Sequence, residues 1–270
     1  MSDGNLALPV YSSPPIHEVV YGIVFSPLTK LLAPHFGALW DLYMPEYITC
    51  KEAPPIAAQL EGTGSLPSVI EYTDVPPLPR IWFVDAGENK VVQVQRERFH
   101  HNWRKVKPDD EYPRNAEMLR TFRDRLDEFV GFIAKKDLGV IVLQQCELSY
   151  VNHIVIEEGL TGIQMMNKVF PDFQWRTQEG RFQGQPEGIN WKMIFGLPSK
   201  SGKIHVSIQT AIKSPGLIPI IMMDLTARGI SGDQTDSMWA WFEMAHYQIV
   251  QTFADLANVE FQASAWGRHR

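Results

Sequence analysis

Cysteine is scarce in this chain: Cys50 and Cys146 are the only two among 270 residues. A disulfide framework is therefore excluded as the means of holding the fold, and two cysteines so far apart match no metal-ligand spacing. A reducing cytoplasmic setting follows as the expectation, with neither metal nor cofactor. Long apolar runs are missing too. The most apolar segment, Leu217 to Met223, is broken by Pro219 and falls well short of the ~20 residues a membrane-spanning helix needs. Met1 to Val10 has neither the basic start nor the apolar stretch of a signal peptide. These absences point to a soluble protein with no membrane partner.

Catalytic signatures are also lacking. Neither Gly-x-Ser-x-Gly nor His-Glu-x-x-His occurs. Gly196-Leu-Pro-Ser-Lys-Ser-Gly-Lys203 invites comparison with a phosphate-binding loop, but its spacing is one residue too long. Ile204 also stands where a hydroxyl is needed, and a strand follows where a helix is required. A hairpin turn explains it better. Gly62-Thr-Gly64 lacks the third glycine of a dinucleotide fingerprint and reads as loop. Glu243 and His246 form one Glu-x-x-His pair, whereas di-iron bundles need two with further glutamates. His246 shares its stripe with Phe242, Ile249 and Val250, so a hydrogen-bonded core histidine is expected. Asp224 has Arg228 and His246 as alternative partners, and Asp233 or Asp236 suits the N-cap of the last helix.

What the chain does have is a concentrated polar strip. With 25 Lys/Arg against 31 Asp/Glu the net charge is −6. Between Lys90 and Lys107, six Lys/Arg face one acid, Glu97; this window carries +5 and the remainder −11. Gln93 to Lys105 reads as one long strand. Alternation would put Val92, Val94, Arg96, Arg98, His100, Asn102 and Arg104 on one face, with Gln95, Phe99, His101 and Trp103 on the other. Val140–Ile156 is a second long strand of unusual polarity, carrying Gln144, Glu147, Ser149, Tyr150, Asn152 and His153. If the two pair, Arg98 or Arg104 can meet Glu147 in a charge-assisted contact. Three readings stay open: polar residues satisfying one another on a half-exposed sheet, an anion or nucleic-acid platform with aromatic stacking faces, and a protein-binding surface anchored by Arg and Trp.

The periodicities predict α+β architecture: long antiparallel strands covered by a few amphipathic helices, in one unit or two fused sheet-plus-helix lobes. Residues 1–15 read as a flexible lead-in, 16–156 as an N-terminal lobe and 157–270 as a C-terminal lobe ending in a long helix. Strands are expected over 16–25, 80–85, 172–182, 189–197, 204–213 and 218–227, with a short one near 68–72. Helices are expected within 28–43, where Pro34 either kinks one helix or opens a second, and over 116–136 and 236–257. Arg120/Asp124 and Arg123/Asp127 sit at i,i+4 on the outside of the second helix. No sequence repeat relates the halves.

Pro14–Phe25, Val94–Arg104, Glu147–Ile154 and His246–Leu256 with Trp266-Gly267 together resemble an uncharacterised, sporadically distributed family of soluble bacterial proteins. The resemblance spans nearly the whole chain. That family carries no assigned activity, so it implies no catalytic residue; its patchy distribution implies a mobile or defence-associated accessory role. The expectation is a non-enzymatic binding protein with a protein partner. Its recognition residues would be Gln95, Arg96, Arg98, His100, Asn102, Trp103, Arg104, Glu147, Tyr150 and Asn152. A nucleic-acid or nucleotide binder using the same strip is one alternative; an enzyme with His246 or His153 as acid–base group in the inter-lobe cleft is another.

Overall fold

The computed structural model of the chain describes residues 7–57, 59–61, 78–176, 180–230 and 235–269. Its elements run β1 (Ile16–Phe25), α1 (Ala33–Tyr43), β2 (Thr49–Ala53), β3 (Arg80–Val84), β4 (Lys90–Gln95), β5 (Arg98–Arg104), α2 (Asn115–Lys135), β6 (Leu143–Val155), α3 (Gly162–Val169), β7 (Asn190–Gly196), β8 (Lys203–Lys213), β9 (Ile218–Gly229), α4 (Thr235–Leu256) and α5 (Val259–Trp266). All nine strands join one antiparallel sheet in the order β2-β3-β4-β5-β1-β6-β9-β8-β7. The expected α+β class with an antiparallel sheet is what the chain adopts.

The halves follow one plan, although their sequences show no repeat. In each, a long strand leads to a helix, then to antiparallel strands whose last member returns beside the first, then to a long helix. The two leading strands, β1 and β6, pair with each other at the centre of the sheet.

Strand alternation sorts the side chains. Val19, Tyr21, Ile23 and Phe25 of β1 turn toward the helices, as do Phe99, His101 and Trp103 of β5, and all are buried. α2 answers with Met118, Phe122, Leu126, Phe129 and Ile133 at helical spacing. Phe122 sits at the centre, with ring contacts to Tyr21, Phe99, Trp239 and Phe242 at 5.3–6.2 Å. Burying each such ring stabilises the fold by about 2–3 kcal/mol. Pro34 lies in the first turn of α1, where a missing N–H is harmless and the fixed φ suits the helix, so it opens that helix.

Several expectations need correction. Residues 93–105 are two strands, because Arg96 and Glu97 turn the chain between β4 and β5. The face assignment inverts at that turn: Gln93 and Gln95 join Arg98, His100 and Asn102, while Val92 and Val94 join Phe99 and His101. No strand forms within the described part of 172–182. A separate short helix, α5, follows the last long one, capped by Asn258, whose side chain accepts from the Phe261 N–H at 3.0 Å. Residues 11–13 are tied down: Tyr11 bridges to Arg268, and its hydroxyl donates to Gln262 Oε1 at 2.7 Å. On α2 the i,i+4 pairs form no ion pair among the described residues; Arg123 instead lies 4.8 Å from the Trp239 ring centroid. The strand expected near 68–72, the Gly62–Gly64 loop and the Asp233 cap lie outside the described residues, as does the Asp236 side chain. No described helix is long and apolar enough to cross a membrane.

Candidate functional site

The sheet face away from the helices concentrates the chain's buried polarity. Gln93, Gln95, Arg98, His100, Asn102, Gln145 and Glu147 all lie there, none more than 7% exposed. The basic strand and β6 do not pair; β1 runs between them. Their groups nevertheless meet, because Gly22 of β1 stands opposite His100 on one side and Glu147 on the other. A Cβ at Gly22 would lie 2.1 Å from His100 Cδ2, so the imidazole occupies the space a side chain would fill. Across that gap Arg98 Nη1 donates to Glu147 Oε2 at 2.5 Å, and His100 Nε2 stands 3.4 Å from the same oxygen. Gln145 Nε2 donates to Glu147 Oε1 at 2.9 Å, and Arg228 Nε of β9 lies 3.4 Å from it.

A second polar chain crosses the sheet one strand at a time. Arg80 Nη1 donates to Gln93 Oε1 at 2.8 Å, Gln93 Nε2 to Asn102 Oδ1 at 2.7 Å, and Asn102 Nδ2 to Glu18 Oε1 at 2.6 Å. It links β3, β4, β5 and β1 without a break.

No described helix covers this face; residues 56, 57 and 59–61, after β2, lie against these groups instead. The Ile56 N–H donates to Gln95 Oε1 at 2.8 Å, and Gln95 Nε2 donates back to the Ile56 carbonyl at 3.2 Å. Further along, Gln145 Nε2 donates to the Gln59 carbonyl at 2.9 Å and Gln145 Oε1 accepts the Glu61 N–H at 2.8 Å. Arg98 Nη2 reaches the Ala57 carbonyl at 3.4 Å. Glu61 then bonds His205 and lies 3.4 Å from Lys203 Nζ, both on β8. Two carboxamides thus grip the main chain of this segment at two points. The contacts use N–H and C=O groups common to any peptide, while the ionic ends supply charge specificity.

Burial pushes the Glu147 carboxyl up, but His100, through its hydrogen bond and charge, and the Arg98 and Arg228 charges outweigh it and hold it at about 2. Burial drives the His100 value down, and the neighbouring Glu147 opposes that shift. Glu18 and Asp224 are both raised, chiefly by burial, and each has a hydrogen bond opposing the rise, from Asn102 and Thr226 respectively. They flank Val151 of β6 in register.

The expected site residues divide between the two faces. Gln95, Arg98, His100, Asn102 and Glu147 converge on the polar face. Arg96 sits in the turn, its Nε donating to the Leu31 carbonyl at 3.0 Å; Arg104 donates to the Glu88 carbonyl at 2.8 Å, and does not meet Glu147. Trp103, Tyr150 and Asn152 turn to the helical side. Trp103 packs on Tyr112 at 5.6 Å, and Asn152 donates to the Met223 carbonyl at 3.2 Å. Tyr150 bonds both Tyr112 and His246. Asp224 accepts from Thr226, and Glu243 accepts from Asn115. His153 stacks on His17 at 3.8 Å, and burial lowers both to about 4. Gln145, Glu18, Arg228 and Glu61 were not among the expected residues. Gln145 could have been found from the parity it shares with Glu147; nothing local marks the others.

No family model matches the chain, and no curated protein is similar to it in sequence. Among the described residues no group of three or more His, Cys, Asp or Glu is placed to hold a metal ion. The site is therefore read from its own geometry.

Proposed function

We propose that this is a non-enzymatic binding protein, an accessory partner in a bacterial system, that receives an extended polypeptide on the polar face of its sheet. The supporting observation is the pair of carboxamides, Gln95 and Gln145, each taking one N–H and one C=O from the main chain of Ile56, Gln59 and Glu61. In this reading the chain's own segment occupies the surface that a partner's extended segment takes over. Glu147, fixed by Arg98 and Arg228, holds the platform in register. The cytoplasm is the compartment we propose, in keeping with Cys50 and Cys146, which are both free.

The nucleic-acid alternative loses its stacking platform, since Phe99, His101 and Trp103 are buried against the helices. The three arginines of its cationic strip are also occupied internally: Arg98 by Glu147, and Arg96 and Arg104 by main-chain carbonyls.

The test exploits the pairing of Ala53 with Arg80 in adjacent strands. An Asn-Gly turn can replace residues 54–79 and bare the polar face. A synthetic peptide of residues 54–79, titrated by calorimetry, should bind this shortened chain. The affinity should drop at least tenfold when Gln95 and Gln145 are both changed to Ala, since each bond contributes about 1 kcal/mol. A folded shortened chain that takes up no peptide contradicts the proposal.

A further inference from the structure

The opposite side of the sheet holds an open-mouthed cavity of about 420 Å³, lined by the N-terminal arm, the start of α2, the strands β6 and β9, and α4. Its volume falls within the roughly 300–1,000 Å³ of small-molecule sites. Leu8, Pro9, Leu225, Ile249, Val250 and Phe253 make most of the wall apolar. Polar groups converge on it: Tyr112 and Tyr150 share a hydrogen bond at 2.9 Å, and Tyr150 bonds His246 Nδ1 at 2.9 Å. Both ends of this chain line the cavity.

The unused atom is His246 Nε2, which has no hydrogen bond among the described residues, while Nδ1 is committed to Tyr150. If Tyr150 donates to Nδ1, Nε2 carries the proton and offers a donor; in the reverse tautomer it offers an acceptor. A hydroxyl on a ligand satisfies either case. Charge at the mouth is balanced, with Arg114 and Glu243 both exposed there. Burial keeps the interior groups uncharged, lowering His246 to about 4 and raising Tyr112 to about 12. A charged head group carried inside, away from Arg114 and Glu243 at the mouth, would thus lose hydration without gaining a counter-ion.

We infer that this cavity is a binding site for an uncharged small molecule with an apolar body and one hydroxyl, taken by His246 Nε2. The site is separate from the peptide-receiving face and does not depend on that reading. It gives Tyr150 a ligand-directed role: its hydroxyl fixes which His246 nitrogen is free. Tyr11, buried between Phe253 and Trp266, anchors the arm that lines the cavity.

The test is titration of the full chain with 4-butylphenol, with butylbenzene, octanoate and octylammonium as comparisons, read by nitrogen and proton shifts of the His246 ring. The phenol should bind and move the Nε2 signal, and both ions should bind at least tenfold more weakly. His246→Phe should weaken the phenol about tenfold and leave butylbenzene unchanged. Val250→Phe, at a half-buried wall position, should fill the space and weaken both. Absence of phenol binding up to its solubility overturns the inference. So does equal affinity for octanoate, or a His246→Phe chain that holds the phenol as tightly as before.

Discussion

Gly22 carries more of the site than any charged residue, because the missing side chain is what lets the imidazole of His100 cross β1 toward Glu147. Gly22→Ala should displace that ring and strain the Arg98–Glu147 pair, lowering unfolding free energy by about 2–3 kcal/mol in urea titration. A loss below half a kcal/mol would show that the imidazole has room to move. His101 presents the opposite situation. It points into the helical core with both ring nitrogens lacking hydrogen bonds, and burial lowers it to about 3. His101→Phe should therefore stabilise the chain by about 1 kcal/mol, since it removes unsatisfied polar atoms while keeping a planar ring. Destabilisation of similar size would point to a partner for that ring.

At the scale of elements, most of the architecture was legible. α2 and α4 follow from helical periodicity and β8 from alternation, while the β-branched and aromatic run of β1 marks a strand buried at the centre of the sheet. The strip from Gln93 to Lys105 was misread because Arg96-Glu97 is a hairpin turn without Gly, Pro or Asn, and polarity runs through it on both sides. Helix α5 was hidden by its shortness, and the order of strands by the distance in sequence between β1 and β6. The convergence on Glu147 was partly legible, since Arg98 was a named partner. The intervening strand and the segment laid over the face could not be read, because both are long-range events. The N-terminal arm is another such event. Tyr11→Ala should lower thermal stability by an amount corresponding to about 3 kcal/mol, because the ring packs on Phe253 and Trp266 and its hydroxyl bonds buried Gln262. An unchanged melting temperature would mean the arm adds nothing.

For the whole molecule, the titrating groups set a pH dependence with a definite sign. His17, His153 and His246 are lowered to about 4 and His101 to about 3, chiefly by burial. Unfolded histidines titrate near about 6.5, so between that value and 4 the unfolded chain binds more protons, and stability falls as pH falls. Glu147, held at about 2, contributes stability that is complete above the ordinary carboxylate range and is lost as pH drops from about 4.5 toward 2. Glu18 and Asp224, raised by burial, work in the other direction. Urea midpoints should therefore be highest near neutrality and decline most steeply between pH 6.5 and 4, with a shallower loss from Glu147 continuing below that. A midpoint that stays flat from pH 7 to 4.5 would contradict the burial of the histidines.

The carboxamides of Gln95 and Gln145 hold the main chain of Ile56, Gln59 and Glu61 on the polar face. Amide hydrogen exchange measured residue by residue tests this most directly. The Ile56 and Glu61 N–H groups should exchange far more slowly than an open loop, and Gln95→Ala and Gln145→Ala should each release its own partner amide while β1 stays protected. Free exchange at both amides in the unaltered chain, with the sheet intact, would contradict the account.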